Sequence, residues 1–341
     1  MANVQKYFEQ FHDTIRTDYE MNSTLCEKKD IILRLLHKRL QEDDRSDFKE
    51  LLQGSYSTPI RMGVRPIAEL EFDIDIGLRF AFADEEFTSA EVRSWVYGAI
   101  DGHTDSVEEM GPCIRVGYVA GYHVDLVCYA NWIDSAGQEQ FRLAHRKKGW
   151  CQADPPALLE YVKKAREAYA GTEDSKTKTD QLRRVVRYLK RWSDVAIPKD
   201  SNAKPTGLSF LLLAIEKLSP TYAYGGSADD LSALRSLAVY TSGLFGRITA
   251  YKPTPEFEDM FGKLSEDDMN ALKGRFKKMV DALDKAKNET DPVKACETLR
   301  EIFGSDFPVP EPEETAKKTS APAIVTSSSS AQVHVQRITQ I

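Results

Sequence analysis

At 341 residues, with 41% hydrophobic and 29% charged side chains, the chain reads as soluble globular protein with room for two domains or one domain with a large helical addition. A net charge of −7 argues against a protein built mainly to coat DNA or RNA, but leaves room for an anionic ligand on a local basic cluster. Five scattered cysteines, none in CxxC spacing, speak against a disulfide framework or a cysteine zinc site; with no apolar leader and no span-length apolar run, the expected location is the cytoplasm, away from membranes.

The first forty residues read as helix. Ile31, Ile32, Leu35, Leu36 and Leu40 form an apolar stripe, and Thr24 to Glu27 fits a capping box. Gly54-Ser55 then closes a short apolar step, and a glycine followed by hydroxyl residues predicts a tight turn with exposed backbone N–H groups.

The stretch Glu71 to Phe80 alternates strictly. Phe72, Ile74, Ile76, Leu78 and Phe80 fall on one face of a strand, and Glu71, Asp73, Asp75 and Arg79 on the other. Asp73 and Asp75 are one strand repeat apart, about 6.5 to 7 Å at the backbone. Two carboxylates so placed repel unless a cation sits between them, which predicts a divalent metal site. A helix follows, capped by Thr88 and Glu91 and running to about Ile100. Cys113 to Val119 and Tyr122 to Tyr129 then read as a hairpin, with Asp125 the lone carboxylate on the face it shares with His123, Val127 and Tyr129.

From about Pro155 the pattern is helical, over 158–170, 179–195, 207–218, a segment capped by Ser265, and another opened by Pro292. On the second of these, Arg183, Arg187 and Lys190 form a basic stripe, and Leu182, Val185, Val186 and Leu189 an apolar one. A solvated face is the ordinary meaning of such a stripe, and of the run His145 to Lys148; an acidic site upstream makes Lys190 the candidate for holding a polyphosphate. Beyond Pro308 the chain is Pro-, Glu- and Ser-rich and predicts a disordered tail, or else a segment that docks with an accessory protein. The expected architecture is therefore α+β: a catalytic lobe over 1–150 with an N-terminal spine helix, a helical lobe over 151–307, and a tail over 308–341.

The order Gly-Ser, then Asp-x-Asp, then a single Asp on another strand is that of polymerase-β-type nucleotidyltransferases, in a mixed sheet with flanking helices. Two-metal nucleotidyl transfer needs hard oxygen ligands and a donor-rich turn for phosphates, which these residues supply. With Gln53-Gly54-Ser55, Phe72-Asp73-Ile74-Asp75, His123-Val124-Asp125-Leu126, Lys148-Gly149-Trp150, Asp154-Pro155 and Arg183 to Trp192, residues 20 to 305 resemble the cGAS/DncV-like nucleotidyltransferases of bacterial anti-phage signalling, DncV-type branch.

The resemblance implies that Asp73, Asp75 and Asp125 are catalytic and ligate two Mg²⁺ ions (Mn²⁺ being the alternative), and that Gln53, Gly54, Ser55 and Lys190 bind the nucleotide. A hydroxyl residue usually assists the lysine; here Gly207 stands where a serine is expected, which leaves Thr206 first and Ser209 second for that role. The implied substrates are ATP and GTP, and the implied product is a purine cyclic dinucleotide such as a cyclic GMP–AMP isomer. A regulatory defence protein is a further implied partner. The zinc insertion of animal cGAS has no counterpart, so no DNA activator is expected. A linear nucleotidyltransferase of the oligoadenylate synthetase kind, or a silent nucleotide-binding scaffold, are the alternatives.

Overall fold

A computed structural model describes residues 3–16, 23–54, 62–63, 73–119, 121–198, 201 and 203–311, excepting the side chains of residues 23–25 and 73. Ser55, Glu71 and Phe72, the side chains of Thr24 and Asp73, and the tail from 312 onward lie outside the described residues.

Seven strands among them form one sheet: β1 (Phe48–Gln53), β2 (Asp73–Phe80), β3 (Ser106–Glu109), β4 (Ile114–Gly117), β5 (His123–Ile133), β6 (Glu139–His145) and β7 (Gly149–Gln152). The order is β1-β2-β5-β4-β3, with β6 on β5 and β7 on β6. Strand β5 is the hinge of this arrangement. One edge pairs with β2 over its first eight residues; the other pairs with β4 near its start and with β6 further along. The β2–β5 pair is parallel, and the other strand pairs are antiparallel.

The alternation seen in the sequence is the alternation of burial. Ile74, Ile76, Leu78 and Phe80 are at most 1% exposed and pack under two helices, α2 (Ser23–Glu42) and α3 (Ser89–Ile100), with Ile32, Leu36, Leu40, Val92 and Val96. Thr88 and Glu91 cap α3 reciprocally, as the sequence predicts.

The N-terminal helical region is two helices that serve different cores. Helix α1 (Gln5–Ile15) buries Phe8, Phe11 and Ile15 in the core of the C-terminal helices rather than against the sheet. Each such phenylalanine contributes about 1.5 to 3 kcal/mol on burial, so α1 joins the helical lobe although it precedes the sheet in the chain. That lobe comprises α4 (Pro155–Glu167), α5 (Gln181–Ala196), α6 (Gly207–Lys217), α7 (Asp230–Gly243), α8 (Glu266–Asn288) and α9 (Pro292–Phe303). Its packing continues through Phe307 to Val309.

Helix α5 is the axle of the lobe, and its arginines are not a solvated stripe. Arg184, Arg187 and Arg191 are each 1% exposed and Arg183 is 8% exposed. Arg184 forks onto Asp230 at 2.7 and 2.8 Å, Arg183 bonds Asp180, and Arg191 pairs with Asp306 at 2.8 Å. Arg187 donates to the Gly63 carbonyl at 3.0 Å and meets His12 Nε2 of α1 at 2.7 Å. A guanidinium has five donors in a fixed fork, so it can be buried when carboxylates and carbonyls surround it. The arginines of the stripe are thus internal ties. Among the described residues no helix is long and apolar enough to cross a membrane.

Candidate active site

Four strands bring four polar residues into one row. Gln53 at the end of β1 faces Asp75 on β2, Asp75 faces Asp125 on β5, and Asp125 faces Arg115 on β4. Neighbouring strands lie about 4.8 Å apart, and residues aligned across a ladder leave the same side of the sheet. Asp75 and Asp125 are therefore adjacent, although fifty positions separate them in sequence. Asp73 opens β2 opposite His123, and its side chain lies outside the described residues. Among the described residues no three His, Cys, Asp or Glu side chains are gathered as a metal-binding group. The pair Asp75–Asp125 is the described part of the acidic site. Two hard carboxylates on adjoining strands fit a divalent cation.

Asp125 is 6% exposed, and Arg115 supplies its compensating charge. Nε donates to Oδ1 at 2.8 Å and a terminal nitrogen to Oδ2 at 2.7 Å, a bidentate fork. Beside it the Cys113 thiol is pushed up to about 12, mainly by burial and further by the Asp125 charge. That thiol is neutral at physiological pH and is no nucleophile. On the other side Tyr129 donates its hydroxyl to Gln53 Oε1 at 3.1 Å, fixing the amide at the end of β1. Burial drives the Tyr129 phenol well above the usual tyrosine range, so it stays a donor. Gln53 is thereby held from behind by the site's own strand β5.

Gly54 follows β1 with φ +67°, and a Cβ there would lie 1.9 Å from Asp75 Oδ2. Only glycine fits, because the backbone turns left-handed while passing against the acid. The turn predicted from Gly54-Ser55 thus abuts Asp75 directly; Ser55 lies outside the described residues.

Gln53, Gly54, Asp75 and Tyr129 open on a cleft of about 1620 Å³ between sheet and helices. Gln53, Gly54, Asp75 and His123 line one wall, and Lys190, Thr206 and Gly207 the opposite one. Lys190 is the one cation of α5 on this wall, with Nζ donating to the Met62 carbonyl at 3.0 Å. The glycine at 207 has a local reason: a Cβ there would stand 3.1 Å from Lys190 Cε and 3.3 Å from Nζ. Glycine gives the lysine its berth.

The two hydroxyl candidates part company. Thr206, exposed on the cleft wall, is the N-cap of α6. Ser209 is wholly buried, donates to the Met260 carbonyl at 3.0 Å and completes the capping box with Thr206. Ser209 is not on the cleft wall; its hydroxyl is spent holding α6 to the segment before α8. Other cations also line the cleft, Lys148 of the Lys148-Gly149-Trp150 motif among them. Lys148, at the β6–β7 turn, comes from a run whose ordinary meaning was a solvated face. Lys204 pairs with Asp194 at 2.7 Å, and Lys252 with Glu258 at 2.7 Å. No local spacing marks Lys204 or Lys252, because loops bring them in.

Residues 49–129 match the family model described as cyclic GMP-AMP synthase DncV-like, nucleotidyltransferase domain. Solved structures resemble nearly the whole chain. Vibrio cholerae DncV cyclic AMP-GMP synthase with nonhydrolyzable GTP superposes with a TM-score of 0.70 at 15% identity, over 90% of this chain and 97% of that one. CdnG, a CD-NTase of Bradyrhizobium diazoefficiens solved with GTP, gives 0.66 at 14% identity, over 89% and 95%. CdnC of E. coli MS115-1 with ATP gives 0.64 at 16% identity, over 89% and 98%. At such identities the likeness is one of fold, the polymerase-β-like nucleotidyltransferase fold with its mixed sheet and flanking helices. Residues 49–129 thus match a DncV-like nucleotidyltransferase domain model, in a chain with the fold of the CD-NTase CdnG and of DncV.

Proposed function

We propose that this chain joins purine nucleoside triphosphates into a cyclic oligonucleotide, with a cyclic GMP–AMP isomer as the product, releasing pyrophosphate at each bond. The role is anti-phage signalling. The observation that carries this reading is the row Gln53–Asp75–Asp125 with the Gly54 backbone against Asp75. A left-handed turn at Gly54 beside paired acids supports nucleotidyl transfer, which needs phosphate donors next to carboxylates that hold metal.

Asp73, Asp75 and Asp125 would hold Mg²⁺, or Mn²⁺, which polarises the reacting phosphate and makes the attacking hydroxyl more acidic. The rest falls to the chain. Gly54 and Ser55 offer backbone and hydroxyl donors to the triphosphate without steric hindrance. Lys190 and Thr206, on the facing wall, neutralise and hold its outer phosphates. Gln53, fixed by Tyr129, positions the donor nucleotide at the mouth of the turn. Asp125 orients the acceptor hydroxyl from the adjoining strand. The cleft volume, about 1620 Å³, exceeds the roughly 300–1,000 Å³ common for a single small ligand. That favours two nucleotides held together, as ring closure needs.

Because CdnC of E. coli MS115-1 is also known as a complex with HORMA-deltaN, a protein regulator belongs to the proposal; a DNA activator does not. Incubation with each NTP mixture and Mg²⁺, with products read by mass spectrometry after phosphatase and linkage-specific nuclease digestion, tests the reading. A phosphatase-resistant cyclic product is expected, lost in Asp75→Asn and Asp125→Asn proteins that remain folded. Linear products alone, or synthesis that survives both substitutions, would overturn it.

A further inference from the structure

The acidic row ends in a cation that belongs to the protein itself. Arg115 stands beside Asp125 on β4 as Asp75 stands beside it on β2, so Asp125 lies between a like and an opposite charge. Both oxygens of Asp125 are taken by the Arg115 fork, at 2.8 and 2.7 Å. The Asp125 side chain is 9% exposed while the Arg115 side chain is 33% exposed. One partner is fixed in the sheet, and the other reaches it from the rim.

We infer that Arg115 is a built-in counter-ion for the catalytic acids, which a divalent metal must partly displace, and that it therefore sets the metal affinity of the site. This rests on the nucleotidyl-transfer reading above. The physical case has three steps. A buried carboxylate beside a second carboxylate on the next strand needs a compensating charge for the fold to be stable. A carboxylate has about four lone-pair directions, and the fork uses one on each oxygen in its most favourable geometry. A metal shared with Asp75 must compete for those directions or accept poorer ones, while a guanidinium nearby repels it. Arg115, whose side chain is 33% exposed, already reaches the rim, so a guanidinium displaced from Asp125 can be taken up by water. Arg115 is thus a positioning residue, with two opposed effects: it stabilises the metal-free protein and weakens metal binding.

The test uses the full chain with Mn²⁺ as the probe. Free Mn²⁺ is measured by electron paramagnetic resonance during titration, and thermal unfolding is followed with EDTA or with saturating Mn²⁺. Arg115→Gln should bind Mn²⁺ at least about tenfold more tightly than the unsubstituted chain, because competition and repulsion are both removed. Its melting temperature in EDTA should fall, and Mn²⁺ should raise it by more than in the unsubstituted chain. Arg115→Lys, which keeps the charge but loses the fork, should lie between the two and serves if the glutamine protein does not fold. Asp125→Asn should lose the site in either background. Equal or weaker Mn²⁺ binding in folded Arg115→Gln and Arg115→Lys proteins overturns the inference and leaves the nucleotidyl-transfer reading intact. No Asp125-dependent Mn²⁺ binding in any variant overturns that reading, and the inference with it.

Discussion

Replacing Gly54 by alanine is the sharpest single probe of the site, because one added methyl group meets one named atom. The new Cβ would lie 1.9 Å from Asp75 Oδ2, 2.9 Å from its Cγ and 3.2 Å from its Cβ. Carbon atoms in ordinary contact stand about 3.5 to 4.0 Å apart, so the carboxylate must retreat by about 1.5 Å or the turn must open. The backbone adds its own cost. At φ +67° an L-residue loses about 1 to 2 kcal/mol relative to glycine. Misplacing a reacting group by about 1 Å can cost about 100-fold in rate, equivalent to about 2.7 kcal/mol of activation free energy. Gly54→Ala should therefore lose about 2 to 5 kcal/mol of stability in urea unfolding followed by tryptophan fluorescence, the backbone term plus about 1 to 3 kcal/mol for the overpacked contact with Asp75. Its kcat for nucleotidyl transfer should fall at least about 100-fold. In an Asp75→Ala background the steric part vanishes, so the stability cost should shrink to the backbone term alone, a coupling that a double-mutant cycle resolves. A Gly54→Ala enzyme within threefold of the unsubstituted kcat would refute the close approach as the reason for the glycine.

Other outcomes follow from the same geometry. Lys190→Met should raise KM for the triphosphate more than tenfold with little change in unfolding, and an unchanged KM would remove the lysine from the site. Ser209→Ala should cost about 1 kcal/mol of stability through the broken capping box while leaving KM alone, whereas a KM effect equal to that of Thr206→Ala would reverse their assigned roles. Arg184→Met leaves Asp230 buried with its charge uncompensated, and the loss should be about 3 to 5 kcal/mol in urea unfolding. A cost below about 1 kcal/mol would show that the Tyr188 hydroxyl and the Gln181 amide, which also donate to Asp230, suffice for it.

His12 gives a pH signature. Burial first, and then the Arg187 charge, push its pKa down to about 2, so the fold holds it neutral with Nε2 facing Arg187. The unfolded chain protonates near pH 6.5, so this contribution is complete above that pH and is lost as pH falls toward 2. The slope should be about 1.4 kcal/mol per unit, flattened in His12→Asn. Equal slopes in both proteins would exclude His12 as the group responsible.

The sheet was legible where period and chemistry coincide. The alternation from Ile74 to Phe80 and the break at Gly121 give β2, β4 and β5 directly, and the Thr88 and Ser265 boxes give two helix starts. Helix α7 is harder to see, because Ser232, Arg235 and Ser236 interrupt the stripe of Leu231, Leu234 and Leu237 and only Asp229 marks its start. Nor does local pattern show that α1 serves the distant helical core, since Phe8 and Phe11 signal a buried face without naming its partner. The acids could be chosen by residue type and order, but their adjacency could not. That depends on the parallel register of β2 and β5, which no local spacing encodes. The α5 arginines show the converse limit. Charge at helical spacing looks solvated until the carboxylates and carbonyls that bury it arrive from Asp180, Asp230, Asp306 and Gly63.

The parallel pairing of β2 with β5 has a consequence for how the protein comes into being. Residues 81–122, with α3, β3 and β4, lie between the two strands, so neither acid can meet the other until that excursion has closed on itself. Pairing across such a separation carries a large loop-closure cost and is slow relative to local helix formation. On the ribosome, a chain that has emerged only through β2 has one half of its acidic row and a central strand without its neighbour. A slip of β2 by one residue along β5 would also turn Asp75 into the hydrophobic layer and Ile74 out of it, away from Asp125. The acidic pair therefore exists only once β5 has docked on β2, and its arrival marks the moment at which that ladder has found its register.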